Sequence, residues 1–91
     1  MNKEILVVDD NSDIRLLISS ILKDKGFLVR EAANFDQAKN EINIKTPNVA
    51  VIDVKLDKGD NDGIELLSYL KKKDEDVPVI MISGHANVQM A

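Results

Sequence analysis

Three times the chain runs four apolar residues together and then stops on a polar group. Residues 5–8 stop at Asp9-Asp10, residues 49–52 at Asp53, and residues 79–82 at Ser83. A run this short and unbroken reads as a strand buried on both faces, and strands of that kind belong to parallel sheets covered by helices. The segments between the runs carry helical periodicity. Ile14, Leu17, Ile18 and Ile21 recur at i, i+3, i+4 and i+7. Asn11 or Ser12 offers that helix an N-cap, and Gly26 suits the residue after its end. Phe27-Leu28-Val29 is a shorter strand that Arg30-Glu31 leave. Phe35, Ala38 and Ile42 mark a weaker second helix, opened by the capping pair Asn34 and Gln37 and ended by Thr46-Pro47. Ile64, Leu67 and Leu70 form the buried face expected of a third, opened by Asp62 and Glu65. The lysines 71–73 read as its solvated end, since Asp74-Glu75-Asp76 cancel their charge. The order β-α-β-α-β-α-β predicts an α/β fold: a parallel sheet with helices on both faces and right-handed crossovers.

In a parallel sheet the carboxyl ends of the strands share one edge, and ligands bind beyond it. Asp9, Asp10, Asp53 and Ser83 should therefore meet there. Taken singly, each has a plain explanation. Asp53 could cap its loop, Asp9 or Asp10 could complement a helix N-terminus, Ser83 could be a turn residue, and His85 could be a surface residue. Together they say more. Three close carboxylates repel one another unless a cation is present. Mg2+ suits them, because it binds through a few carboxylates and keeps positions for water and phosphate oxygens. A strand-end aspartate can attack phosphorus to give an aspartyl phosphate. Ser83 and the Gly84 backbone N–H would supply donors to the transferring group.

Composition narrows the classes. Ninety-one residues indicate one domain. A net charge of −4 gives no footprint for nucleic acid, and the absence of cysteine excludes disulfides and thiolate metal sites. No apolar run is long enough to span a bilayer and no signal peptide is evident, so the default compartment is the cytoplasm.

The residues that carry this chemistry are similar to those of bacterial response regulator receiver domains. The matching pieces are residues 5–10, Asp53 at the end of the third strand, residues 62–67 and residues 78–85. The resemblance implies a flavodoxin-like fold with strand order 2-1-3-4, the fifth strand and fifth helix of the family being missing from residues 1–91. It implies phosphoryl transfer from a sensor histidine kinase to Asp53. Mg2+ would be held by Asp10, Asp53 and the Lys55 carbonyl, with Asp9 acting through water. Ser83 would be the hydroxyl that turns toward the phosphoryl group, and Lys55 and His85 would tune its lifetime. The loop after Asp53 is two residues longer than in many receivers, placing the family glycine at Gly63. That loop resembles the NtrX-type nitrogen-regulation regulators, which carry an AAA+ ATPase domain and a DNA-binding output domain after the receiver.

The lysine that the family brings on its fifth strand lies outside these residues, which implies slow or undetectable phosphorylation but retained Mg2+ binding, since the proposed ligands are present. The tail from Ala86 has room only for the start of a fourth helix. The strand at residues 79–82 is then expected to leave an apolar edge, and the chain to be a shortened product or to be held by strand exchange or dimerisation. Other classes fit less well. An aspartate-nucleophile phosphohydrolase needs a second acid where Lys55 stands. A flavin or nucleotide module needs a phosphate loop where Asp9-Asp10 stand. A structural or protein-binding remnant without chemistry is the remaining alternative.

Overall fold

The computed structural model describes residues 3–54, 56, 62–82 and 88–90. Four strands are parallel: β1 (Glu4–Val8), β2 (Leu28–Ala32), β3 (Val49–Asp53) and β4 (Val79–Ile82). Between them lie α1 (Ser12–Asp24), α2 (Phe35–Ile44) and α3 (Asp62–Lys73). The sheet order is β2-β1-β3-β4-β5. Its parallel part thus has the 2-1-3-4 order expected of a flavodoxin-like chain.

Each face of the sheet has its own core. On one side Leu6, Val8, Ala50, Ile52, Val79 and Met81 pack with Ala38 and Ile42 of α2 and Leu66 and Leu70 of α3. On the other, Ile5, Val7 and Val51 pack with Ile18 and Leu22 of α1. The apolar runs are unbroken because alternate residues face opposite cores. Caps fix where the helices begin. Asn11 Oδ1 accepts from the N–H groups of Asp13 and Ile14, starting α1 immediately after the acidic pair. Gly26, at φ 93°, ends it in the left-handed region. Asn34 Oδ1 accepts from Gln37 N–H, and the Gln37 side chain returns to the Ala33 N–H.

The helices are rotated relative to the faces read from periodicity. Ile14, Leu17 and Ile21 are 41%, 58% and 51% exposed, and α1 instead meets the sheet through Ile18 and Leu22. In α3 the buried residues are Asp62, Gly63, Leu66 and Leu70, while Ile64 is exposed. Strand β2 also runs on through Arg30, Glu31 and Ala32 rather than stopping before them. It can do so because its charges find partners. Arg30 Nε lies 2.6 Å from Glu4 Oε1, its Nη1 3.1 Å from Glu41 Oε1, and its Nη2 donates to the Lys45 carbonyl.

The tail differs most from expectation. Instead of beginning a helix, residues 88–90 form β5 (Val88–Met90), which pairs antiparallel with β4. The backbone groups along the edge of β4 offer hydrogen bonds to a strand, and β5 takes them. The edge expected to stand open at β4 is therefore paired with the chain's own tail. Among the described residues, no helix is long and apolar enough to cross a membrane.

Candidate functional site

The cluster expected at the strand ends forms around β1 and β3, which are neighbours in the sheet. Asp9 follows β1 directly, and Asp10 begins the turn into α1. Asp53 is the last residue of β3, paired in register with Ile82 at the end of β4. One carboxylate oxygen from each of Asp9, Asp10 and Asp53 lies within 4.8 Å of the other two. Burial falls across the group: Asp9 is 4% exposed, Asp53 is half-buried and Asp10 is exposed.

Asp9 carries the electrostatic strain of the arrangement. Burial pushes its carboxyl above the ordinary value, and the nearby Asp10 charge pushes the same way. The Asn11 N–H donates to Asp9 Oδ1 at 2.9 Å, and Arg15 stands close by, so both pull it back down. The net shift is upward. A partly desolvated acid beside two others, with oxygen donors only, is a donor set that fits a hard divalent cation.

Asp53 is held through its main chain. The Val54 N–H donates to the Ile82 carbonyl at 2.8 Å, and the Gly63 N–H donates to the Val54 carbonyl at 3.0 Å. Helix α3 thus begins against the backbone that carries Asp53. The approach is too close for any side chain at Gly63. A Cβ there would overlap the Asp53 carbonyl oxygen and lie 2.7 Å from Val54 Cα. Beyond β3, Leu56 is buried in the core beneath α2 and α3.

Of the residues singled out by sequence, Asp9, Asp10 and Asp53 come together. Lys55, Ser83, Gly84 and His85 lie outside the described residues. Two contributors were not singled out for these contacts. Arg15 Nη1 donates to the Asp9 carbonyl at 2.7 Å and its Nε to Glu31 Oε1 at 3.2 Å. Gly63 appeared only as a family glycine. A glycine in the first turn of a helix, directly after a buried acid, was the available sign that a backbone passes close to it.

A parallel 2-1-3-4 sheet with an acid cluster beyond β1 and β3 defines a class, and comparison with known proteins agrees. The family model for the response regulator receiver domain matches residues 5–91, and the chain belongs to that family. Receiver domains are the phosphoacceptor signalling domains of two-component systems. The nitrogen assimilation regulatory protein NtrX of Azorhizobium caulinodans is 43% identical over 91 residues, all of this chain but 20% of that protein. The sporulation initiation phosphotransferase F of Bacillus subtilis is 33% identical over 90 residues, covering 99% of this chain and 71% of that one. Among solved structures, the receiver domain of NtrX from Brucella abortus superposes with a TM-score of 0.81 at 44% identity, covering 89% of this chain and 68% of that one. The response regulator TrrA of Thermotoga maritima, in complex with Mg2+ and BeF, gives a TM-score of 0.81 at 27% identity, covering 91% and 72%. The chain thus spans about a fifth of the length of the NtrX relative it matches.

Proposed function

We propose that this domain takes a phosphoryl group from a sensor histidine kinase onto Asp53 and signals to an output domain of a longer, cytoplasmic, NtrX-like regulator. The observation that carries the reading is the convergence of three carboxylates at the ends of β1 and β3. Asp9, Asp10 and Asp53 would hold Mg2+, joined by the Lys55 carbonyl. When bound, Mg2+ supplies positive charge to the oxygens of the transferring group. A carboxylate oxygen of Asp53 attacks phosphorus, the bond from phosphorus to the kinase imidazole breaks, and the imidazole nitrogen keeps the electron pair. Asp53 suits that role because β3 and α3 fix its backbone while its carboxylate is only half-buried. Asp9, more deeply buried and bonded to Asn11 N–H, is less accessible for attack and better suited to helping hold the cation. Ser83 and the Gly84 N–H would complete the site as donors to the phosphoryl oxygens.

On this reading the domain assists its own phosphorylation and does not turn over substrate. No direct contact with nucleic acid is expected of a chain of net charge −4. The test is incubation with a small-molecule phosphodonor and Mg2+, followed by intact mass. Any phosphoryl group gained, slowly at best in residues 1–91, is expected to disappear in Asp53→Asn and in excess chelator. Labelling that persists in Asp53→Asn rules the site out, and steady release of product from a generic phosphate ester would favour a phosphohydrolase.

A further inference from the structure

Arg15 lies in the second turn of α1, and its guanidinium reaches back across the start of the helix. It does not reach for the acids' carboxylates. Its Nη1 donates to the main-chain carbonyl of Asp9 at 2.7 Å, the carbonyl of the peptide that joins Asp9 to Asp10. Its Nε donates in turn to Glu31 Oε1 at 3.2 Å; the Arg15 side chain is largely shielded, at 19% exposure, while Glu31 lies at the surface. Glu31 lies on β2 next to Ala32, whose carbonyl accepts the Asp9 N–H at 3.2 Å. The contacts close a ring. Strand β2 holds the Asp9 N–H, Arg15 holds the Asp9 carbonyl, and Glu31 ties Arg15 back to β2. Without Arg15 the carbonyl of the peptide between the two acids loses this donor, and Asp9 is left with its N–H bond to β2 and the Asn11 N–H bond to its carboxylate.

We propose that Arg15 is a positioning residue for the Asp9–Asp10 pair, and that Glu31 orients it, so that both are needed for full affinity for a divalent cation. The inference rests on the reading of the acid cluster as a Mg2+ site. A guanidinium fork can serve a carbonyl and a carboxylate together, with its donors in a fixed plane. A lysine ammonium is a point charge on a flexible stem and cannot reproduce both contacts. Charge and geometry therefore make opposite predictions. Removing a positive charge beside a cation site should by itself tighten cation binding. Releasing the Asp9–Asp10 peptide should weaken it.

The experiment is a Mg2+ titration followed by backbone amide NMR shifts at Asn11 and Ile52, on the wild-type chain, Arg15→Lys, Arg15→Gln and Glu31→Gln. Thermal melts in chelator establish a temperature at which every variant is folded. Saturable binding by wild type is expected, with about tenfold weaker affinity in both Arg15 variants, as for partners that orient metal ligands. Glu31→Gln should weaken binding in the same direction, and as the mildest change it keeps the test open should an Arg15 variant not fold. A purely structural role would lower the melting temperature and leave the Mg2+ affinity of the folded chain unchanged. Arg15→Lys and Arg15→Gln within about twofold of wild type, or tighter binding in Arg15→Gln, would overturn the proposal. A wild-type chain with no saturable titration would overturn the Mg2+ reading itself, and this inference with it.

Discussion

A methyl group on Gly63 would occupy space that the Asp53 main chain already fills. The obstacle is backbone on both sides, so no rotamer change relieves it. Either α3 moves off β3 or the Asp53–Val54 peptide tilts. Gly63→Ala is expected to cost about 3 kcal/mol of stability, at the upper end for overpacking, measured by denaturant unfolding. A cost below about 0.5 kcal/mol, the range of ordinary surface changes, would mean that the contact is looser than described. Ser19 presents the reverse case. Its hydroxyl is buried in α1 with no hydrogen-bond partner among the described residues. A buried donor left unpaired is penalised, and alanine is the better helix former. Ser19→Ala should therefore stabilise the chain by about 1 kcal/mol, seen as a higher unfolding midpoint at unchanged slope.

At the level of elements, sequence periodicity located the three helices and four parallel strands of the described residues but mistook some of the faces. Ile14, Leu17 and Ile21 form as regular a stripe as any in the chain, yet α1 turns Ile18 and Leu22 to the sheet. Leu66 rather than Leu67 is fully buried in α3, because Gly63 must face β3 and Leu66 and Leu70 follow from it at helical spacing. Periodicity names an apolar stripe and leaves open which part of it a neighbour will cover. The acids were legible because each directly follows an apolar run. Arg15 was not, because its partner is a main-chain carbonyl, which has no letter in the sequence. Nor was the extent of β2 legible. Arg30 sits inside that strand because Glu4, Glu41 and the carbonyls of residues 41 and 45 converge on it from β1 and α2. Arg30→Ala would leave the partly buried Glu4 without its closest partner. A loss of about 2 kcal/mol is expected, the scale for charge-assisted bonds. Glu4→Gln combined with Arg30→Ala should cost less than the sum of the two single changes, which a double-mutant cycle would measure.

The whole molecule carries a conflict between folding and function at Asp9. Its carboxyl is held above the ordinary value of 3.8, by burial first and by Asp10 second. Between the ordinary and the raised value, folded Asp9 keeps a proton that unfolded Asp9 has lost. More protons are then bound in the folded state, so stability falls as pH rises through that window and levels off above it. Metal-free Asp9→Asn should be free of this decline. The difference in stability between Asp9→Asn and the wild-type chain should therefore grow in favour of the variant as pH rises from the ordinary value, and then stay constant. Mg2+ competes with the proton for the same carboxylate, so it should restore wild-type stability most at the upper end of the window. The gain would reach about 2.7 kcal/mol at a Mg2+ concentration of 100 times Kd. Asp9→Asn should respond less to Mg2+ at every pH. Thermal melts followed by far-UV circular dichroism, across a pH series in chelator and in Mg2+, read all of these differences. A difference between variant and wild type that does not change with pH, or that shrinks as pH rises, would show that the folded chain does not hold Asp9 under this strain. The acid cluster would then have no reason of its own to call for a cation.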